Sequence, residues 1–295
     1  MELRLDNVTK RFGNFKAVNG MNLTMNSGVY GLLGVNGAGK TTMMRMLCTL
    51  MRPTSGVISY DGKDIFTMDA AYRNIIGYLP QEFGYYPDFT VKDYLMYVAA
   101  LKGIRTSVAK KRTKELLEAV GLTKAVSKKM KQLSGGMKRR VGIAQAMLND
   151  PKVLILDDPT AGLDPMERIR FRNLIGKLAE KRIVLLSTHI VSDIEAIANQ
   201  VFLMKDGQLV DSGSIPELCG KVGDCVWECR MPENQVQTVS NQYQIVNMRS
   251  DGTMAELRIL AEEQPVCGAM QVETTLEDVF LHYFGETEMK DDVEI

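Results

Sequence analysis

Gly31-Leu32-Leu33-Gly34-Val35-Asn36-Gly37-Ala38-Gly39-Lys40-Thr41-Thr42 is the stretch whose reading decides the fold. The apolar run 29–33 predicts a buried strand, and residues 41–50, rich in Met and Leu, predict a helix. Between them, Gly34-x-x-x-x-Gly39-Lys40-Thr41 fits the phosphate-binding pattern G-x-x-x-x-G-K-[ST]. The glycines let consecutive backbone N–H groups turn inward as an anion nest, and the helix N-terminus adds partial positive charge. Lys40 has the reach for β- and γ-phosphates, and Thr41 offers a hydroxyl to Mg²⁺. A Gly-rich turn with an incidental lysine would not need strand, loop and helix in this order. The stretch therefore predicts a nucleotide site.

Composition bounds what surrounds it. At 295 residues and 45% hydrophobic, the chain can bury one large α/β domain and a small additional one. Basic and acidic residues balance at 36 each, so no cationic excess points to a nucleic-acid partner. No signal peptide is expected, because Met1-Glu2-Leu3-Arg4 leads directly into strand-like alternation. No apolar run reaches the ~18–20 residues of a membrane span. Five cysteines without a C-x-x-C pair predict reduced thiols in a cytosolic setting. Cys225 and Cys229 flank Trp227 at strand period, which favours a strand over a zinc site, and no zinc is expected.

Working outward, residues 3–25 alternate apolar and polar as antiparallel strands, with Gly13-Asn14 as their hairpin turn. Phe12, before that turn, reads equally as an adenine-stacking platform or as core filler. Residues 57–60 with Asp61-Gly62 predict another short hairpin. Residues 75–79 predict a strand whose C-terminal end delivers Gln81 to the edge where parallel sheets bind ligands. Thr90-Val91-Lys92-Asp93 reads as a capping box, and the chain from there to 149 reads as helical. Its basic run Lys110, Lys111, Arg112 and Lys114 reads as a solvated face. Leu133-Ser134-Gly135-Gly136-Met137 is a second small-residue helix start, which reads alone as a phosphate site or as a cap.

Residues 153–156 predict a central parallel strand ending in Asp157, a carboxylate placed to serve Mg²⁺. Asp164-Pro165 starts a helix, with capping as the alternative to a contact role. Residues 183–186 form another buried strand leading to His189, which reads as a γ-phosphate contact or as structural. From about 222, short strand-like runs and an amphipathic helix at 276–284 predict a small α+β appendage over 222–285 with a split βαβ arrangement. An acidic frayed tail over 286–295 is expected to follow.

In order and spacing, the phosphate loop, Gln81, Leu133-Ser134-Gly135-Gly136-Met137, Leu154-Ile155-Leu156-Asp157 and His189 resemble the nucleotide-binding subunit of an ABC transporter. The resemblance covers 2–220. It implies a P-loop NTPase fold: a RecA-like parallel core, an antiparallel β subdomain and a helical subdomain at about 88–150. Thr275-Leu276-Glu277-Asp278-Val279-Phe280 is similar to the ending of ABC-2 type drug-resistance and antibiotic-export ATPases.

The family implies a head-to-tail dimer with two ATPs between the copies. Each ATP would meet Gly34, Val35, Asn36, Gly37, Ala38, Gly39, Lys40, Thr41 and Thr42 of one chain and the signature 133–137 of the other. The resemblance gives Phe12 to adenine, and Thr41, Gln81 and Asp157 to Mg²⁺. It gives Asp164 to the dimer contact and His189 to the γ-phosphate. Phe83, Tyr85, Tyr86 and Phe89 would receive a short helix of a separately encoded permease, holding the chain at the inner face of the membrane.

One residue departs from the family. Asp158 stands where Glu usually orients the attacking water, one methylene shorter. The leading expectation is the ATPase of an ABC-2 exporter of a drug, antibiotic peptide, lipid or polysaccharide. A weakly hydrolysing ATP-gated clamp and an importer subunit are the alternatives. DNA-repair and ribosome-bound relatives would carry a coiled-coil insertion or a second cassette, and this chain shows neither.

Overall fold

Alternation at 3–25 produces the strands β1 (Leu3–Phe12) and β2 (Phe15–Met25), paired antiparallel, with Leu3, Leu5, Met21, Leu23 and Met25 buried on one face. A computed structural model describes residues 1–291, with side chains described through 285. The chain divides into two compact units, Met1–Val210 and a second beginning at Asp211. The sequence texture changes later, at about 222. The helix that opens the second unit is therefore already past the division.

In the first unit β3 (Gly28–Leu33) leads to α1 (Lys40–Leu47). β4 (Ser55–Tyr60), β5 (Lys63–Asp64) and the single turns α2 (Ile65–Met68) and α3 (Ala70–Arg73) follow. Next come β6 (Ile76–Leu79), α4 (Val91–Leu101), α5 (Thr106–Ala119), α6 (Gly135–Ala146) and β7 (Val153–Asp157). α7 (Pro165–Ala179), β8 (Ile183–Ser187), α8 (Val191–Glu195), β9 (Gln200–Lys205) and β10 (Gln208–Gly213) complete the core sheet.

The sheets have the orders β2-β1-β4-β5 and β10-β9-β3-β8-β7-β6. In the larger sheet β9, β3, β8, β7 and β6 pair in parallel. β7 and β8 are buried at every position, as a strand covered on both faces must be. β3, β6, β7 and β8 all end at one edge, the position where open parallel sheets bind ligands.

The helix after the phosphate loop is shorter than the apolar run suggested. α1 ends at Leu47, because Thr49 takes φ +56, a left-handed conformation that no helix continues. Its Met43, Met44, Met46 and Leu47 fill a core shared with Tyr72, Ile155 and Leu185. The 90–149 stretch is not one run of helix. Gly103 (φ +69) and Gly121 (φ +66) break it, and two 3₁₀ turns precede α6. Lys110, Lys111 and Lys114 are exposed, whereas Arg112 is half-buried and pairs with Asp150 at 3.2 Å.

The second unit holds α9 (Ile215–Val222), β11 (Val226–Pro232), α10 (Glu233–Ser240), β12 (Gln244–Ser250), β13 (Met254–Leu260), β14 (Met270–Gln271) and α11 (Leu276–Asp291). β13 lies antiparallel between β11 and β12, which therefore run parallel through α10 as a split βαβ. α11 continues into the stretch expected to be a tail; residues 292–295 lie outside the described residues. Asp278 on this helix is fully buried. It accepts from Arg258 Nε at 2.8 Å and Nη2 at 2.7 Å, and from Thr275 N at 2.7 Å. Among the described residues, no helix is long and apolar enough to cross a membrane.

Burial pushes the Asp278 carboxyl up, but the hydrogen bonds from Arg258 and Thr275 outweigh it and hold the group below its ordinary value. A depressed carboxylate stabilises at neutral pH, and that stabilisation is lost as pH falls below ~4 through the folded value. Asp278→Asn is expected to cost roughly 3 kcal/mol, the low end for a broken buried pair, because Glu228 still holds Arg258 at 2.7 Å. It should also flatten the acid side of the stability profile. Urea melts followed by fluorescence of Trp227, the chain's single tryptophan and part of β11, report on this unit directly. An unchanged midpoint at pH 7 would contradict the assignment.

Candidate active site

The loop after β3 closes a cradle at the carboxyl edge of the sheet. Gly39 sits at φ +100, and a Cβ there would fall 2.1 Å from the Ala17 carbonyl oxygen, so only glycine fits. Gly37, at φ +80, faces open space. Lys40 Nζ donates to the carbonyls of Gly34 at 2.6 Å and Val35 at 2.9 Å, curled back over its own loop. Burial lowers the Lys40 pKa, and the nearby carboxylates of Asp157 and Asp158 oppose the shift. An ammonium held this way has positive charge and few partners, and an anion of the right size can complete its shell.

A cavity of about 350 Å³ lies over this loop. Asn36, Gly37, Ala38, Gly39, Lys40, Thr41 and Thr42 form its floor, and Gln81, Asp157, Asp158 and His189 form its walls. All of these were expected from sequence to meet. Asp157 is buried; one oxygen accepts from Ser187 Oγ at 2.7 Å and the other finds no partner among the described residues. Asp158 takes φ +45, a conformation Asp tolerates better than most residues. Its amide donates to the Ser187 carbonyl at 3.1 Å, its Oδ2 lies 3.4 Å from His189 Nδ1, and its Oδ1 is buried without a partner.

Two unpaired carboxylate oxygens beside a hydroxyl and an amide fit a hard divalent cation. Thr41, Gln81 and Asp157 are the residues that would hold it. Such a cation would supply charge neutralisation to phosphate oxygens.

The hairpin aromatics are arranged differently from the expectation. The cavity is walled by Phe15, the cross-strand partner of Phe12, while Phe12 is absent from the lining and stacks under Lys10 at 5.4 Å. Both rings are exposed. Ser187 and Thr188 also line the cavity, and the sequence reading passed over them as strand-end residues.

Ser134 caps α6 by accepting from Met137 N at 3.2 Å. Ser134 and Gly135 are exposed, and neither they nor Asp164 lines this chain's own cavity. Gly136 is covered instead by the Glu167 carboxylate, which would overlap any Cβ there and pairs with Arg140 at 3.3 Å. Asp164 caps α7, accepting from Glu167 N at 2.8 Å.

Of the aromatic loop residues, Phe83, Tyr85 and Phe89 are half-buried and Tyr86 is exposed. Tyr86 stacks on Phe89 with ring centroids 4.9 Å apart, and both meet Tyr97 edge-on.

Comparison with known proteins agrees with this geometry. The family described as ABC transporter matches residues 18–161. Nod factor export ATP-binding protein I of Burkholderia lata is 39% identical over 210 residues, covering 70% of this chain and 69% of the relative. Bacitracin transport ATP-binding protein BcrA of Bacillus licheniformis is 39% identical over 212 residues, covering 71% and 68%. Among solved structures, the dimeric cassette MJ0796, titled a bacterial ABC transporter cassette, aligns with a TM-score of 0.66 at 27% identity. It covers 72% of this chain and 98% of its own.

Among the described residues Ser187 is the one side-chain donor to the Asp157 carboxylate, and its Oγ also accepts from the Asp158 amide at 3.2 Å. Ser187→Ala is expected to raise the Mg²⁺ concentration needed for half-maximal nucleotide turnover by ~10–100-fold, as loss of a ligand-orienting partner does. A Mg²⁺ titration at saturating ATP reads this. Equal midpoints for variant and parent would show that Asp157 needs no support.

Proposed function

Since this chain belongs to the ABC transporter family and is an ATP-binding ATPase subunit, we propose that it drives a separately encoded ABC-2 type permease in export. The cargo class would be a drug, antibiotic peptide, lipid or polysaccharide. The observation that carries the ATP part is one cavity joining loop residues 36–42 to Gln81, Asp157, Asp158 and His189. The export part is supported by the names of the relatives and by the Leu276-Glu277-Asp278-Val279-Phe280 ending.

In this reading two copies close head to tail on two MgATP. Each ATP lies on the loop of one chain and meets Ser134, Gly135 and Gly136 of the other. The exposure of Ser134 and Gly135 away from their own chain's cavity supports an action in trans. Asp164, exposed at the start of α7, would touch the second copy. Phe12 and Phe15 together supply the aromatic surface for adenine. The exposed Tyr86, backed by Phe89 and Tyr97, is the candidate permease contact, with Phe83 and Tyr85 as its packed support. Through that contact the chain would sit peripherally on the inner membrane face.

Asp158 acts as the base that orients water against the γ-phosphate, and His189 holds it from 3.4 Å away. Its side chain is one methylene short of the family's Glu, which favours a slow cycle in which the ATP-bound dimer is long-lived. A clamp that barely hydrolyses is the second reading, and Asp158 is the observation behind it.

Turnover and ATP-dependent dimerisation by size-exclusion chromatography separate the two. Asp158→Glu is expected to raise turnover by up to ~100-fold, the cost of a base misplaced by about 1 Å. Asp158→Asn should abolish turnover and leave a stable dimer in MgATP. Dimerisation unaffected by ATP in every variant would remove the interface reading. Negligible turnover in both parent and Asp158→Glu would favour the clamp.

A further inference from the structure

Arg139 lies on α6, five residues beyond the capping Ser134, and is only 7% exposed. Its guanidinium reaches across to the carboxyl ends of two strands. Nη1 donates to the Pro80 carbonyl at 3.2 Å and to that of Gln81. Nη2 donates to the Asp157 carbonyl at 3.3 Å and to that of Asp158, and Nε donates to Pro159 at 3.2 Å. A guanidinium has five N–H donors in a rigid planar fork. These contacts commit all of them to main-chain oxygens.

Four of the five carbonyls lie beyond the last residues of β6 and β7 and the fifth belongs to the final residue of β7, and a buried carbonyl left unpaired costs its full desolvation. One planar group therefore determines where the Gln81 and Asp158 backbones sit relative to α6. Both residues line the nucleotide cavity, whereas the Ser134-Gly135 turn that starts α6 does not. The charge is also placed deliberately. Burial lowers the Arg139 pKa, and the charges of Asp158 and Asp157 oppose that shift and favour the charged guanidinium.

We propose that Arg139 is the positioning residue that sets the Gln81 and Asp158 backbones from the signature helix, so that α6 and the hydrolytic edge move as one body. The proposal rests on the reading that Gln81, Asp157 and Asp158 serve MgATP. Its consequence is a link between two sites of the dimer. A nucleotide that pulls on Ser134-Gly135 from the other copy displaces, through Arg139, the water-orienting carboxylate of this one. Lysine cannot substitute fully, because three donors radiating from one atom do not span the five carbonyls.

The test compares Arg139→Gln and Arg139→Lys with the full parent chain. MgATP turnover is measured beside equilibrium binding of a fluorescent ATP analogue. Arg139→Gln is expected to lower kcat about tenfold or more while nucleotide affinity stays within about threefold. Arg139→Lys, with the charge but not the fork, should recover part of kcat. A Gln variant with parental kcat overturns the proposal, as does one that loses affinity and kcat in the same proportion. If the Gln variant does not fold, the Lys variant decides: lowered kcat at parental affinity supports the role, and full rate overturns it. A parent that binds no MgATP at all would instead overturn the reading of the cavity and this proposal with it.

Discussion

Parallel strands that end together leave carbonyls and carboxylates which the sheet no longer pairs, and the protein is built around how those groups are answered. β6 and β7 deliver their terminal carbonyls into a buried region, and the Arg139 guanidinium donates to five of them. β8 supplies Ser187, which answers one oxygen of Asp157 and the amide of Asp158. Two carboxylate oxygens, one on each Asp, are left without a partner. Orphaned buried oxygens are costly in a resting fold. Their concentration at one place, facing Lys40 on a glycine cradle, marks where the fold spends stability on binding a charged substrate.

The loop side of the cavity follows a complementary logic. Gly37 and Gly39 take positive-φ conformations that shape the loop, and Lys40 rests on two carbonyls that hold it without neutralising it. The apolar face of α1 anchors this arrangement through Met43, Met44, Met46 and Leu47. The charged edge can therefore be strained and under-paired, because the packing beneath it is dense. Glu167 against Gly136 applies the same principle on α6. A carboxylate occupies the space that the missing side chain leaves, and Arg140 balances its charge.

The second unit is stabilised differently. Its sheet has one apolar core, with Leu257, Ile259 and Cys229 at the centre, and one buried ion pair between Arg258 and Asp278. Arg258 also reaches Glu228 and the Glu273 carbonyl, so strand β13, strand β11 and the start of α11 meet at one guanidinium. In a unit this small, such a network fixes how helix and sheet register, since hydrophobic area alone is limited. The short motif around Asp278 that suggested an export ATPase thus has a structural role of its own.

Local rules were enough for much of this. Glycine spacing, an apolar run and a following helix identify the phosphate loop, because that chemistry is written in consecutive residues. Caps at Ser134 and Asp164 and the split βαβ were legible for the same reason: each depends on a few neighbours in the chain. The ordered motifs also brought Gln81, Asp157 and His189 to one edge, since parallel strands with crossover helices leave few alternatives. What only the tertiary structure decided is pairing between distant segments. Phe15, with Ala17 further along the same strand, walls the cavity while its cross-strand partner Phe12 does not, a matter of which strand of the hairpin lies against the phosphate loop. Arg139 has no assigned role when the sequence is read alone, and nothing within its own helix reveals the five carbonyls from 58 or more residues upstream and 18 or more residues downstream that close around it. A donor's partners are chosen by the folded geometry, and one-dimensional patterning carries no record of them.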